Sequence, residues 1–162
     1  MRIREAEAED WAAIWPIWKG IVDDGETYAY PDTATSEQAR GWWMEGPPSR
    51  VAVAVGDTGN VLGTAKMGPN RPGRGDHVGT ASFMVGLAAR GLGVGRALAE
   101  DMIAWHRQQG FRAIQFNAVV ETNTAGVRLW QDLGFTIIGT VPGAFRSRHH
   151  GDVGLHVMYL PL

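Results

Sequence analysis

At 162 residues, 44% hydrophobic and 20% charged, the chain has the make-up of a soluble globular domain, long enough to bury roughly 68–70% of its unfolded surface. A net charge of −2 leaves no basic footprint for nucleic acid, and the absence of cysteine excludes disulfides, thiolate metal sites and a cysteine nucleophile. No run is apolar for long enough to form a signal-peptide core or a membrane span, so one cytoplasmic domain over residues 1–162 is expected.

Arg2 to Ala6 alternates weakly and reads as a first strand. Asp10 offers an N-cap to a helix in which Trp11, Ile14, Trp15, Trp18, Ile21 and Val22 recur at helical spacing; Pro16 lies inside the pattern and predicts a kink or a late start. The polar turn Asp23-Asp24-Gly25-Glu26 ends this helix, and an extended stretch through Tyr28, Tyr30 and Pro31 follows. Thr35 or Ser36 caps a short second helix through Gln38, Trp42 and Trp43, which Gly46-Pro47-Pro48 closes. Trp42 and Trp43 are adjacent, so both cannot point inward.

The period then changes from helical to alternating. Val51, Val53 and Val55 form a strand, Asp57-Thr58-Gly59-Asn60 supplies hairpin chemistry, and Val61, Gly63 and Ala65 continue the alternation. Residues Pro69 to Asp76 read as a loop and Gly79 to Val85 as a short apolar strand. Val94, Leu98, Met102 and Trp105 mark a helix ending near Gly110, and Ala113 to Val120 is a strand apolar enough to be buried. A helix from Asn123 to Leu133 follows, with Gly134 at its end. Phe135 to Val141 and Val153 to Leu160 are the last strands, separated by a basic loop, AFRSRHHGD. The order β-α-α-β-β-β-α-β-α-β-β predicts an α/β fold on a mixed sheet.

Between the strand ending at Val85 and the helix of Val94 lies ARGLGVGRAL, Ala89 to Leu98. A strand before it and a helix start within it would aim helix N-terminal amides at an anion, and glycine lets that backbone approach a phosphate closely. The dinucleotide fingerprint fails because Arg96 replaces its last glycine, and no lysine-serine or lysine-threonine pair completes a P-loop. The segment Arg90-Gly91-Leu92-Gly93-Val94-Gly95 resembles the pyrophosphate loop [Q/R]-x-x-G-x-[G/A] of the GNAT superfamily of N-acetyltransferases. Asn123 to Phe135 (NTAGVRLWQDLGF) resembles that family's later motif N-x-x-[A/G]-x-x-L-Y-x-x-x-G-F, at the right distance and in the right order.

The resemblance implies a GNAT-type sheet, mixed and mostly antiparallel, with splayed central parallel strands flanked by helices. It implies acetyl-CoA in the wedge between the strand ending at Met84-Val85 and the strand Ala113 to Val120. The amides of Leu92 to Arg96 (Leu92, Gly93, Val94, Gly95 and Arg96) would hold the pyrophosphate, with Arg90 shaping the loop and Gly91 among the cofactor-binding residues. The backbones of Met84 and Val85 would pair with the pantetheine arm, Asn123 would contact the arm from the other side, and Trp130 would pack beside the thioester. The Arg96 side chain is either near a phosphate or simply solvated. No metal is implied, because the five histidines lack helical metal spacing.

The chain departs from the family at two positions. Trp130 stands where many relatives carry a tyrosine general acid, and an indole N–H is no practical acid near neutral pH, so either the thiolate leaves unprotonated or water or another tyrosine (Tyr28, Tyr30, Tyr159) serves. Thr80 stands where several relatives carry a glutamate base. Glu26 is the first substitute, because the turn that contains it covers the acceptor side in this family; Asp76, His77 and Glu121 are others, and each of these is also readable as a surface residue. Glu26 to Pro31 and His149 to Val153 loosely resemble the phosphinothricin acetyltransferase branch. The expected activity is acetyl transfer to a primary amine of a small molecule, by direct attack in a ternary complex. The alternatives are an acyl-CoA-binding sensor without turnover and a protein acetyltransferase. A homodimer is allowed by the family resemblance, and the tryptophan-rich helical face fits either core or dimer packing.

Overall fold

The computed structural model describes residues 1–162. Seven strands, β1 (Arg2–Glu5), β2 (Arg50–Val55), β3 (Val61–Pro69), β4 (Val78–Val85), β5 (Ala113–Val120), β6 (Thr136–Ser147) and β7 (Gly151–Pro161), form one sheet in the order β1-β2-β3-β4-β5-β7-β6. Every neighbouring pair is antiparallel except β4 and β5. The helices are α1 (Trp11–Asp24), α2 (Ser36–Trp43), α3 (Val94–Gln108) and α4 (Thr124–Asp132).

The alternation in β2 shows how the two faces are covered. Ala52 and Ala54 pack with Leu98 and Met102 of α3, whereas Val51, Val53 and Val55 pack with Trp18 of α1 and Trp43 of α2. A strand buried on both sides can therefore alternate small and large residues rather than apolar and polar ones.

Helix α1 runs through Pro16 without interruption. A proline inside a helix costs about 3 kcal/mol, but each fully buried large apolar side chain contributes about 1.5–3 kcal/mol, and Trp11, Ile14, Trp18, Ile21 and Val22 are all buried. Packing wins. Nor is the start late: a 3₁₀ turn over Ala8–Asp10 precedes the helix, and Asp10 is already helical in its dihedrals. Its carboxylate caps nothing in α1. It holds Arg4 in a two-point ion pair (2.6 and 2.8 Å) and accepts the Glu7 amide at 2.7 Å. The second helix begins as expected, with Thr35 Oγ1 accepting from the Gln38 amide and the Gln38 side chain accepting from the Thr35 amide.

The largest departure concerns the end of the chain. The basic segment read as a loop is mostly strand: β6 extends to Ser147, β7 begins at Gly151, and only residues 148–150 turn. Phe145 and Ser147 are buried while Arg146 and Arg148 are exposed, a period-2 pattern that the charges obscure. Phe145 packs with Val120 and Val153.

Candidate active site

Strands β4 and β5 pair only at Val78↔Ala113 and Gly79↔Ile114, and beyond Gly79 they separate. The apex of this wedge needs glycine. A Cβ on Gly79 would lie 2.2 Å from the ring of His106, which is fully buried beneath the strands on α3. The His106 Nδ1 atom lies 2.9 Å from the Met102 carbonyl, and burial holds the imidazole below its ordinary pKa of 6.5.

Within β4, even-numbered residues turn their main-chain groups toward β3 and odd-numbered ones turn theirs into the wedge. Val78 O accepts from Asn70 and the Gly86 amide donates to Leu62 on the β3 side, while His77 O accepts from Arg112 on the β5 side. Val85 therefore presents free main-chain groups to the cleft. Met84 does not: its main chain faces Thr64 of β3, and its side chain is buried with Trp18 and Trp43. The alternate position is Phe83, which the sequence reading missed.

The glycine loop stands at the open end of the wedge. Gly91 and Gly93 have φ of +79° and +78°, a region that side chains with a Cβ disfavour, and a Cβ added to either would meet nothing within 4 Å. The amides of Gly91, Gly93, Val94, Gly95 and Arg96 find no acceptor in the protein, and they stand at the N-terminus of α3. The Leu92 amide is engaged, at 3.3 Å from Ala89 O, and its side chain points to solvent. Arg90 is exposed at the cleft rim, whereas the Arg96 guanidinium turns to Asp132 at 3.2 Å. Five unpartnered amides around an open, positively polarised concavity form an anion cradle.

On the opposite wall, Asn123 Oδ1 accepts from the Gly126 amide at 3.2 Å and caps α4. Trp130 is buried with its ring centroid 4.8 Å from those of Phe83 and Phe116. The cleft between these walls encloses about 1070 Å³.

The α1–α2 connection and the β6–β7 turn build the other end of the cleft. The Arg148 amide donates to Gly25 O at 3.1 Å, which docks the turn on the end of α1. Glu26 accepts from Ser147 Oγ at 2.6 Å and from the His149 amide at 3.0 Å, and the His149 Nε2 atom lies 3.9 Å from Glu26 Oε1. The Ser147 hydroxyl and the His149 amide hold the Glu26 carboxyl below its ordinary range. His149, His150, Thr80 and Asn117 also line this end. Glu121 is occupied elsewhere, by the Gly154 amide, and neither Asp76 nor His77 borders the cleft. Tyr28 reaches into the wedge, where its hydroxyl donates to Phe83 O at 2.7 Å and accepts from the Phe83 amide at 2.8 Å.

A splayed parallel pair with an amide cradle at its mouth is built to hold an extended ligand by an anionic group. The sequence pattern of the acetyltransferase (GNAT) family matches residues 7–135, and the chain belongs to this family. It is similar to a GCN5-related N-acetyltransferase from Kribbella flavida, with 62% identity, a TM-score of 0.97, and coverage of 99% of this chain and 97% of that one. It is also similar to yncA from Salmonella typhimurium, solved with its cofactor acetyl-CoA, at 28% identity and a TM-score of 0.87, covering 100% of this chain and 94% of that one. Among curated proteins it is 35% identical to N-acetyltransferase aca1 of Schizosaccharomyces pombe over 99 residues, 60% of this chain and 47% of that protein. The chain thus matches about half the length of that relative.

Proposed function

We propose that this protein transfers the acetyl group of acetyl-CoA to the primary amine of a small molecule within a ternary complex. The observation that carries the reading is the set of five unpartnered amides at Gly91 and Gly93 to Arg96, placed where the free edge of β4 ends. In this reading the cradle takes the pyrophosphate, and Val85 extends the sheet to the pantetheine arm. Asn123 and Trp130 form the facing wall.

The amine nitrogen attacks the thioester carbon, the carbon–sulfur bond breaks, and the thiolate leaves with coenzyme A. An alkyl ammonium, with a pKa near ~10.4, must lose its proton first. Thr80 offers no carboxylate on β4, and Glu26 is committed to Ser147 and the His149 amide. Glu26 therefore acts as the ionised partner of His149, whose imidazole takes the amine proton at the cleft rim and passes it to solvent. Imidazole is suited to this transfer near neutral pH.

The test is thiol release from acetyl-CoA against a panel of small amines, with product mass confirming N-acetylation. Tight coenzyme A binding without thiol release from any amine would mark the protein as an acyl-CoA sensor. Turnover only with peptides would move the acceptor to protein.

A further inference from the structure

We propose that Tyr28 is the acyl-length stop of the cleft, a specificity-determining residue that admits acetyl and excludes acyl chains of four carbons or more. This rests on the reading of the cleft as an acyl-CoA site.

The glycine loop follows the C-terminal end of β4, so a donor held there runs back along the strand from Val85 toward the apex at Gly79. The next wedge-facing main-chain position after Val85 is Phe83, and both of its groups are taken by the Tyr28 hydroxyl. The edge that an extended arm can join ends at Val85. Anything longer than a short acyl group meets the phenol oxygen.

The Tyr28 wall is rigid. The Tyr28 ring stacks on Tyr30 (5.9 Å, 14° between planes) and meets the edge of the fully buried Trp43 (6.3 Å, 77°). Tyr30 in turn stacks on Trp42 at 5.6 Å. Moving the phenol aside would break this stack and strip two hydrogen bonds from the main chain of Phe83. Unpaired groups in a partly buried site are costly, so the wall stays in place. Burial also raises the Tyr28 pKa above the phenol range, so the hydroxyl stays protonated and keeps its bond to Phe83 O.

Phe83, Phe116 and Trp130 pack with ring centroids 4.8–6.1 Å apart and form the α3-side wall of the cleft.

The experiment compares acetyl-, propionyl-, butyryl- and hexanoyl-CoA with the wild type and with Tyr28→Ala and Tyr28→Phe, reading kcat/KM for thiol release and product mass. Wild type is expected to use butyryl-CoA about 100-fold less well than acetyl-CoA. Tyr28→Ala should raise the butyryl-to-acetyl ratio by about tenfold or more, while Tyr28→Phe, which keeps the ring, should change it less. Wild-type use of butyryl-CoA within about threefold of acetyl-CoA overturns the stop, as does an unchanged ratio in a folded Tyr28→Ala protein. If the alanine variant does not fold, the wild-type series decides. Equal use of all donors sinks the stop alone, whereas failure to bind any coenzyme A ester sinks the functional reading and the stop together.

Discussion

The two ends of the cleft are built by different means. In the proposed reading the donor end is mostly main chain, with glycine dihedrals, helix-terminal amides and one strand edge from residues 85–96 faced by Asn123 and Trp130. The acceptor end is made of side chains brought together from far apart. Glu26 meets Ser147 and the His149 amide across 121 and 123 residues, and Tyr28 meets Phe83 across 55. Main-chain sites constrain sequence locally, because only certain residues allow the backbone path. Side-chain sites constrain it non-locally, and one end can therefore be fixed while the other is free to vary.

The strongest way to break this comparison is Gly93→Asp. The new side chain would enter the open cradle and set a negative charge against the pyrophosphate, so coenzyme A affinity should fall by about 100-fold or more. The positive φ of Gly93 adds only about 1–2 kcal/mol of strain for a residue with a Cβ, so the variant should fold. Calorimetric titration with coenzyme A alongside a thermal melt checks both. Unchanged affinity would remove the loop from the donor site. At the acceptor end, Glu26→Gln should lower kcat/KM about 10- to 100-fold while leaving coenzyme A affinity near wild type. A loss of coenzyme binding instead would mean that the two ends are not separable.

The apex of the wedge, where β4 and β5 pair, is tested by stability. Gly79→Ala places a methyl group 2.2 Å from His106 and should destabilise the fold by about 1–3 kcal/mol, measured by denaturant unfolding. Combining it with His106→Ala should recover part of the loss. Asn123→Ala removes the cap of α4 and should cost about 1 kcal/mol, with only a modest rise in KM for the acyl donor.

This division explains what could be read from the sequence. Gly91 and Gly93 are legible because a left-handed backbone before a helix leaves glycine as its trace. Met84 was placed one residue off because strand parity depends on which neighbour pairs with β4, and no local signal gives that. Nothing in ETYAYP announces that Tyr28 ends on the main chain of Phe83. The strand that carries Phe145 and Ser147 was hidden because Arg146, Arg148, His149 and His150 read as a loop, although burial of alternate residues is what forms β6.

The smallest predicted effect tests the acceptor end most directly. Ser147 Oγ donates to Glu26, and this bond is the leading reason that the carboxyl lies below its ordinary value of 4.5. Because the folded-state pKa is lowered, the bond's contribution to stability is complete above the unfolded value and is lost as pH falls through the lower folded value. Ser147→Ala removes the donor, so the Glu26 pKa should rise toward its ordinary value and the remaining contribution to stability should be lost at higher pH. The rate at neutral pH should change little, since Glu26 stays ionised there in both proteins. Carboxyl titration by NMR and denaturant unfolding across the acid range measure the two consequences separately. A Glu26 pKa that stays where it is in Ser147→Ala would show that the hydroxyl does not hold the carboxyl down.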